Sequence, residues 1–470
     1  MQLVGPNKYR ISKQGKMRVE GVVYLNRVLF EQFKESEALK QLADAASLPG
    51  VVGPVIGMPD IHAGFGLPIG GVMASDAEEG IISAGAVGMD INCGVRLLMT
   101  RIPADDLRSK DLLQLIRHIE ERVPSGVGRK TRHPDLRERV EEVLQGGAPA
   151  VIDRGYGRKE DLGTIEENGS VGGADPDKLS REARNRSDQL STIGGGNHFI
   201  EIGRVDEIYD VKTARAFGLA KGCLSVLIHT GSRGLGHQIC TDYTKLMARA
   251  ATKYGIELPS NGLACVPIDS REGRDYYAAM ACAVNFAFAN RQVITHDIRL
   301  AFGDMFACDS DSLGLNIVYD VCHNIAKFEN LDGCSLLVHR KGAVRALPPG
   351  HPLLPERFTA TGNPVLVPGS MATASYVIVA TERARETFYS VNHGAGRVMS
   401  RTAARKNFSV GQLRESLGEV ILSARDQRKL LDESPAAYKD VHEVVETLVE
   451  IGLTRKVARL VPLAVIKGED

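Results

Sequence analysis

The sequence predicts an α+β protein in which a single large mixed-sheet core carries helical insertions. Three observations support this reading. The β-branched apolar runs CLSVLIH (223–229), LNIVYDVCH (315–323) and CSLLVH (334–339) read as buried strands that stop where a polar residue begins. Helical periodicity occupies 28–47, 106–122, 205–218, 237–254, 271–302, 397–406, 410–417 and 437–451. Helices and strands alternate too irregularly for a barrel of repeated βα units, so one domain over residues 1–470 is expected. A Pro-, Gly- and charge-rich stretch at 145–188 has weak periodicity and reads as a surface insertion or lid.

Composition narrows the function classes. With 58 Lys+Arg against 58 Asp+Glu the formal net charge is zero, which argues against a uniformly basic nucleic-acid coat and leaves room for a local patch. Basic residues do gather locally: Arg117, Arg122, Arg129, Lys130 and Arg132; Arg181, Arg184 and Arg186; Arg340, Lys341 and Arg345; Arg397, Arg401, Arg405 and Lys406. Hydrophobic residues make up 43% of the chain, enough for a substantial core, so disorder and collagen-like fibres are excluded. No run of about 18 apolar residues occurs, and MQLVGPNKYR lacks a signal-peptide pattern, so a cytoplasmic protein with no membrane partner is expected. The eight cysteines form no CxxC pair and no disulfide framework.

Glycine is over-represented, at 49 residues, and it clusters. The runs are GMPDIHAGFGLPIGG (57–71), GAVGMDINCGV (85–95), GGGNHF (194–199), HTGSRGLGH (229–237), HRKG (339–342), PGSMAT (368–373) and NHGAGR (392–397). Nearly every run carries a His, Cys or Asp, which places metal-ligand chemistry on sharp loops at strand ends. Asp90 and Cys93, separated by two residues in GMDINCG, can present a carboxylate and a thiolate to one point. His198, His229 and His323 supply imidazoles. This set suffices for two divalent ions with a bridging ligand, the arrangement that clamps attacking and leaving oxygens in phosphoryl or nucleotidyl transfer. Judged by donor type alone, the metal would be Zn²⁺.

HTGSRG, with Ser232 and Arg233, and VPGSMATASY, with Ser370 and Ser375, have the form of phosphate cradles, although an ordinary loop is the competing reading of PGSMAT. Neither a Walker A loop nor a dinucleotide fingerprint is present. NHGAGR places His393 on a glycine hinge just before a predicted helix. There it reads as a nucleophile towards phosphorus, or else as a metal ligand or general base. The apolar tail LVPLAVIKGED reads as a strand tied into the core, with the Lys467 ammonium aimed at a partner.

Taken in order, GMPDIHAGFGLPIGG, GMDINCGVR, GGGNHFIE, HTGSRG, CHN, HRKGAVRA, PGSMATASY, NHGAGR, AAYKD and PLAVIKG resemble the motif series of the RtcB family of RNA-splicing ligases, from about residue 50 to the C-terminus. The resemblance implies an RtcB-like fold and a GTP- and Mn²⁺-dependent ligase joining RNA 2′,3′-cyclic phosphate or 3′-phosphate ends to 5′-hydroxyl ends. It implies that Asp90, Cys93, His198, His229 and His323 hold two Mn²⁺ ions, with Cys93 bridging, and manganese then displaces the zinc expectation. His393 would take GMP through a phosphoramidate bond, with Asp60 on its other ring nitrogen. Asn197, Arg233, Asn324 and Ser370 would contact phosphate or guanylate, as would the Gly394, Ala395 and Gly396 backbone. Ser375, Tyr438 and Lys467 would form the guanine pocket, with Glu201 on the guanine edge or the ribose. Ala372 stands in PGSMAT where the family pattern has glycine, which would keep backbone and phosphate further apart. The implied partners are tRNA halves or other cleaved RNA ends, GTP and, as in some relatives, a small acidic activator such as archease. The same residues would also serve a dinuclear metal phosphodiesterase acting on RNA ends, which would need no base pocket, or a non-catalytic RNA-binding protein that has kept the fold.

Overall fold

The computed structural model describes residues 1–469 and has a mixed α+β architecture. Two large sheets form its core. The first, of seven strands, runs in the order Gln2–Gly5, Lys8–Ile11, Gly21–Tyr24, Val51–His62, Ile69–Asp76, Cys334–Lys341, Asn324–Leu331. The second has Asn316–Cys322, Gly94–Pro103, Cys223–Thr230, Phe199–Ile208, Thr454–Lys467, Ser375–Ala380 and Val365–Val367 in line, with Ile421–Ser423 pairing off this path against the terminal strand. Pairing is antiparallel except for Gly21–Tyr24 on Val51–His62 and Ile421–Ser423 on Thr454–Lys467. Central strands such as Gly94–Pro103 are buried along most of their length, which explains why they read as continuous apolar runs rather than alternating ones.

All three strands expected from apolar runs are present: Cys223–Thr230, Asn316–Cys322 and Cys334–Lys341. The chain end is the 14-residue strand Thr454–Lys467, hydrogen-bonded on both sides. Several helical expectations need correction. The segment at 28–47 is two helices, Arg27–Phe33 and Glu37–Ala45, the second capped by Ser36. The helix expected over 205–218 is preceded by strand as far as Ile208 and spans only Val211–Phe217, capped by Asp210. The helix expected at 397–406 begins at Arg401 and is seven residues long, so it does not follow His393 directly. The 145–188 stretch is woven into the core instead of forming a lid. Val151 and Ile165 are fully buried, Asp161 takes both amino groups of Arg299 at 2.7 Å, and Glu166 accepts the Cys322 backbone N–H at 2.9 Å.

The long helix, expected at 271–302, spans Arg271–Phe306 and is capped by Ser270. No described helix is long and apolar enough to cross a membrane. This helix passes beneath the glycine-rich loops with an unusual polar run, Asn290, Arg291, Gln292 and Thr295, all fully buried. Asn290 Nδ2 donates to the carbonyls of Thr192 (3.3 Å) and Gly231 (3.1 Å). The Arg291 guanidinium donates to the carbonyls of Asn92 and Thr230, both at 2.9 Å, and to the Asp320 carboxylate. One helical turn therefore fixes the loops at 90–93, 192–198 and 229–231 and the strand leading into His323. These carbonyls lie in or next to the loops, and a buried carbonyl left unpaired would cost about 1–3 kcal/mol.

Candidate active site

Five polar side chains converge where those loops meet. Cys93 Sγ lies 3.4 Å from Nε2 of both His198 and His229, and His229 Nε2 lies 3.4 Å from His323 Nε2. His198 Nε2 is 2.8 Å from Asp90 Oδ2. The donor atoms fall into two groups whose members lie within 4.8 Å of one another, Cys93/His229/His323 and Asp90/Cys93/His198. Cys93 belongs to both groups. Burial pushes the Cys93 thiol up and the His229 and His323 rings well down, so the histidines present neutral lone pairs. Burial also opposes ionisation of Asp90, yet His198, Cys93 and Arg233 bring its carboxyl down to about 2. Nδ1 of His229 and of His323 is buried without a hydrogen-bond partner, and thiol, carboxylate and imidazole atoms gathered this closely are a donor set that a pair of divalent cations fits.

Asn92 and Asn324 brace the Asp90 loop. Asn324 Nδ2 donates to Asp90 O (2.9 Å), and its Oδ1 accepts the Gly342 N–H (2.9 Å). Arg233 sits behind the cluster, with one amino group 3.4 Å from His198 Nδ1 and the other donating to Gly126 O (3.3 Å). Neither Arg233 nor Asn324 lines the adjoining cavity. Gly194 is required here, because a Cβ would meet the Arg233 guanidinium at 2.0 Å.

His393 follows the strand Ser390–Asn392, and its ring centre is 4.7 Å from that of His323. Nδ1 lies 2.7 Å from Asp60 Oδ2, which also accepts the backbone N–H groups of His393 (3.0 Å) and Gly394 (3.3 Å). Asp60 is fully buried on the strand Val51–His62. This contact holds the proton on Nδ1 and leaves the Nε2 lone pair free. Gly396, at φ +74°, lies against Asp60, and a Cβ there would meet its carbonyl oxygen at 2.2 Å.

A cavity of about 230 Å³ opens between His393 and the cluster. Asn197, Ser370, Gly394, Ala395, Gly396, Tyr438 and Lys467 line it. Lys467 Nζ donates to Gly196 O (2.7 Å) and lies 3.4 Å from Glu433. Tyr438 donates to Glu433, and Arg397 covers one face of its ring at 5.0 Å. Two expected guanine contacts do not reach the cavity. Ser375 accepts the Gly369 N–H (3.2 Å) and so shapes the loop beneath Ser370. Glu201 is buried in its strand, and burial raises its carboxyl to about 8. Ala372 packs half-buried against the core, while its neighbour Met371 faces the cavity.

Sequence reasoning missed His62 and Glu433. His62 lines the cavity with Nδ1 2.8 Å from Asp60 O, and burial lowers its ring to about 3. Glu433 gathers Lys467, Arg397 and Tyr438 around one buried carboxylate. The signal for His62 was its place in GMPDIH; Glu433 had none, since DES reads as an ordinary turn.

Two donor triads sharing the Cys93 sulfur, beside a carboxylate-held histidine and a cavity with basic and glycine-rich walls, make up a candidate metal-binding active site. A family model described as tRNA-splicing ligase RtcB matches residues 41–468. Similar proteins include tRNA-splicing ligase RtcB of Thermococcus kodakarensis, 46% identical over 96% of this chain and 95% of its own. The protein of the same name from Archaeoglobus fulgidus is 45% identical over 98% and 97%, and RNA-splicing ligase RtcB of Mycobacterium tuberculosis is 45% identical over 91% and 100%. The chain belongs to the RtcB family.

Proposed function

We propose that the protein is a GTP-dependent RNA ligase that joins 3′-phosphate or 2′,3′-cyclic phosphate ends to 5′-hydroxyl ends, in tRNA splicing and in repair of cleaved RNA. The observation that carries this is the Asp60–His393 pair at 2.7 Å, set beside donor groups that share Cys93. Asp90, Cys93, His198, His229 and His323 would hold two Mn²⁺ ions, which when bound neutralise phosphate charge. His393 Nε2 forms an N–P bond to the α-phosphorus of GTP as the P–O bond to pyrophosphate breaks, and Asp60 keeps the Nδ1 proton in place. The RNA 3′-phosphate oxygen then takes the guanylate, which frees His393. Attack by the 5′-hydroxyl on the 3′-phosphorus expels GMP and closes the phosphodiester. A cyclic phosphate is opened by water first. Asn197, Ser370 and the 394–396 backbone suit the phosphates, and Tyr438 and Lys467 suit the base.

The test is covalent labelling. Incubation with [α-³²P]GTP and Mn²⁺ is expected to leave an acid-labile label on the protein that His393→Ala abolishes. No label on the wild type would reject the reading and favour a phosphodiesterase.

A further inference from the structure

Next to the cavity, behind Lys467, lies a second groove of about 560 Å³, walled by residues 123–132 on one side and 423–429 on the other. We propose that this groove is the track for the phosphodiester backbone of one RNA strand whose end enters the site, an inference that rests on the ligase reading above. Arg129, Arg132 and Arg425 stand exposed on its walls. Among the described residues, no hydrogen bond or ion pair engages any of the three. Their neighbours in sequence are neutralised instead: Arg122 by Asp304, Lys130 by Asp188 and Arg428 by Asp426. A guanidinium left without a carboxylate in a chain of zero net charge is a free bidentate phosphate binder, and here three share one groove. Lys429 adds a fourth cation, paired with Glu469 at 3.6 Å, and Glu120 is occupied by the Ser423 hydroxyl at 2.8 Å.

Continuity with the site is structural. Lys467 lines both cavities. Gly126 in the groove wall donates to Ile193 O (3.0 Å) and accepts from Arg233, whose other amino group approaches His198. Val127 donates to Glu469 O at 3.1 Å, so the wall is stitched to the chain end as well. The groove therefore runs along the back of the loop that carries His198. No aromatic side chain lines it, so it offers charge without base stacking. Such a surface grips backbone phosphates and is indifferent to sequence, as a ligase acting on ends defined by their chemistry requires.

The experiment measures binding of a fluorescein-labelled single-stranded RNA of about 20 nucleotides, bearing a 3′-phosphate, to the full chain without GTP, by anisotropy over a range of salt. For Arg129→Gln/Arg132→Gln/Arg425→Gln, binding at about 0.1 M salt is expected to weaken at least roughly tenfold. The slope of log K against log salt should fall by about 2, three contacts at ~0.7 each. Labelling of His393 by [α-³²P]GTP should be unchanged. The control Arg137→Gln/Arg215→Gln/Arg249→Gln removes the same charge from other exposed positions and should bind RNA as wild type. Wild-type affinity and slope in the groove variant, or equal loss in the control, overturns the proposal. Loss confined to the groove variant supports it, and does so even if the wild type takes no guanylate, a result that would reject the ligase chemistry alone.

Discussion

The two walls of the cavity are built by opposite means. On the metal-donor side, Asp90, Cys93, His198, His229 and His323 stand at the ends of strands, and a fully buried layer behind them ties those ends together. Asp320 takes Arg96 at 2.7 Å and Arg291 at 2.9 Å, and all three side chains are inaccessible to solvent. On the other side, Arg397, Glu433 and Tyr438 sit on turns and short 3₁₀ segments, and Lys467 ends the terminal strand Thr454–Lys467. Half-exposed arginines hold them from outside, such as Arg405, at 50% exposure, 3.3 Å from Asp432. The contrast teaches where rigidity is placed. On the proposed reading, donors for two cations would need fixed positions to fractions of an ångström, whereas a pocket binding and releasing a nucleotide would need walls that can adjust.

The largest effect expected from that contrast lies in the buried layer. Arg291→Met would leave the Asn92 and Thr230 carbonyls unpaired and Asp320 half-compensated, at a cost of about 3–5 kcal/mol. Arg405→Gln, on the flexible wall, should cost under about 1 kcal/mol. Denaturant unfolding of the two variants checks this, and equal losses would dissolve the distinction between the walls.

The second prediction tests the shared sulfur. In Cys93→Ala both donor groups lose a member, so Mn²⁺ binding followed by calorimetry or electron paramagnetic resonance should fall at least roughly 100-fold at both sites. His323→Ala touches one group only and should reduce the stoichiometry from two ions to one. Retention of both sites in Cys93→Ala would show that the thiol is core filler.

The donor side was also the more legible in sequence, for a physical reason. Strand ends marked by glycine put Asp90, Cys93 and the three histidines next to backbone that any fold must turn sharply, so residue type and position spoke together. What supports them was not legible. Asn290, Arg291 and Asp320 lie in a helix and a strand that read as ordinary, and only three-dimensional packing reveals that one helical turn holds three loops. The same limit explains the misread 145–188 stretch, whose weak periodicity hides Asp161 and Glu166 inside buried ion pairs. At 205–218 a strand's polar end and a short helix merged into one apparent helical period. The motifs put Ser375 and Glu201 among the guanine contacts, but a motif does not tell a side chain that lines a cavity from one behind its wall.

The strand Phe199–Ile208 connects the two walls, and Glu201 on it gives the third prediction. Burial raises this carboxyl from 4.5 to about 8, so the folded protein keeps a proton that the unfolded chain releases. Above pH 4.5 the unfolded state therefore binds fewer protons, and stability declines as pH rises towards 8, by a few kcal/mol in all if nothing compensates. Glu201→Gln should flatten that decline in denaturant unfolding across the same window. An unchanged slope would mean that the carboxyl is ionised and partnered in solution.

The smallest effect is expected at Tyr438, where the flexible wall can be probed without disturbing charge. Burial raises this phenol well above its ordinary range, so it stays protonated and donates to Glu433 while accepting from Arg397 at 3.2 Å. Tyr438→Phe keeps the ring, and with it any stacking surface, and removes both hydrogen bonds. Glu433 retains Lys467 and Arg397 as partners, so its carboxylate is not stranded and the loss stays near 1 kcal/mol. If the pocket adjusts, the KM for GTP in the labelling reaction should rise a few-fold, with Mn²⁺ stoichiometry and the rate at saturating GTP unchanged. A large fall in that rate with KM unmoved would mean that the Tyr438–Glu433 contact positions reacting groups, and that this wall is as rigid as the one opposite.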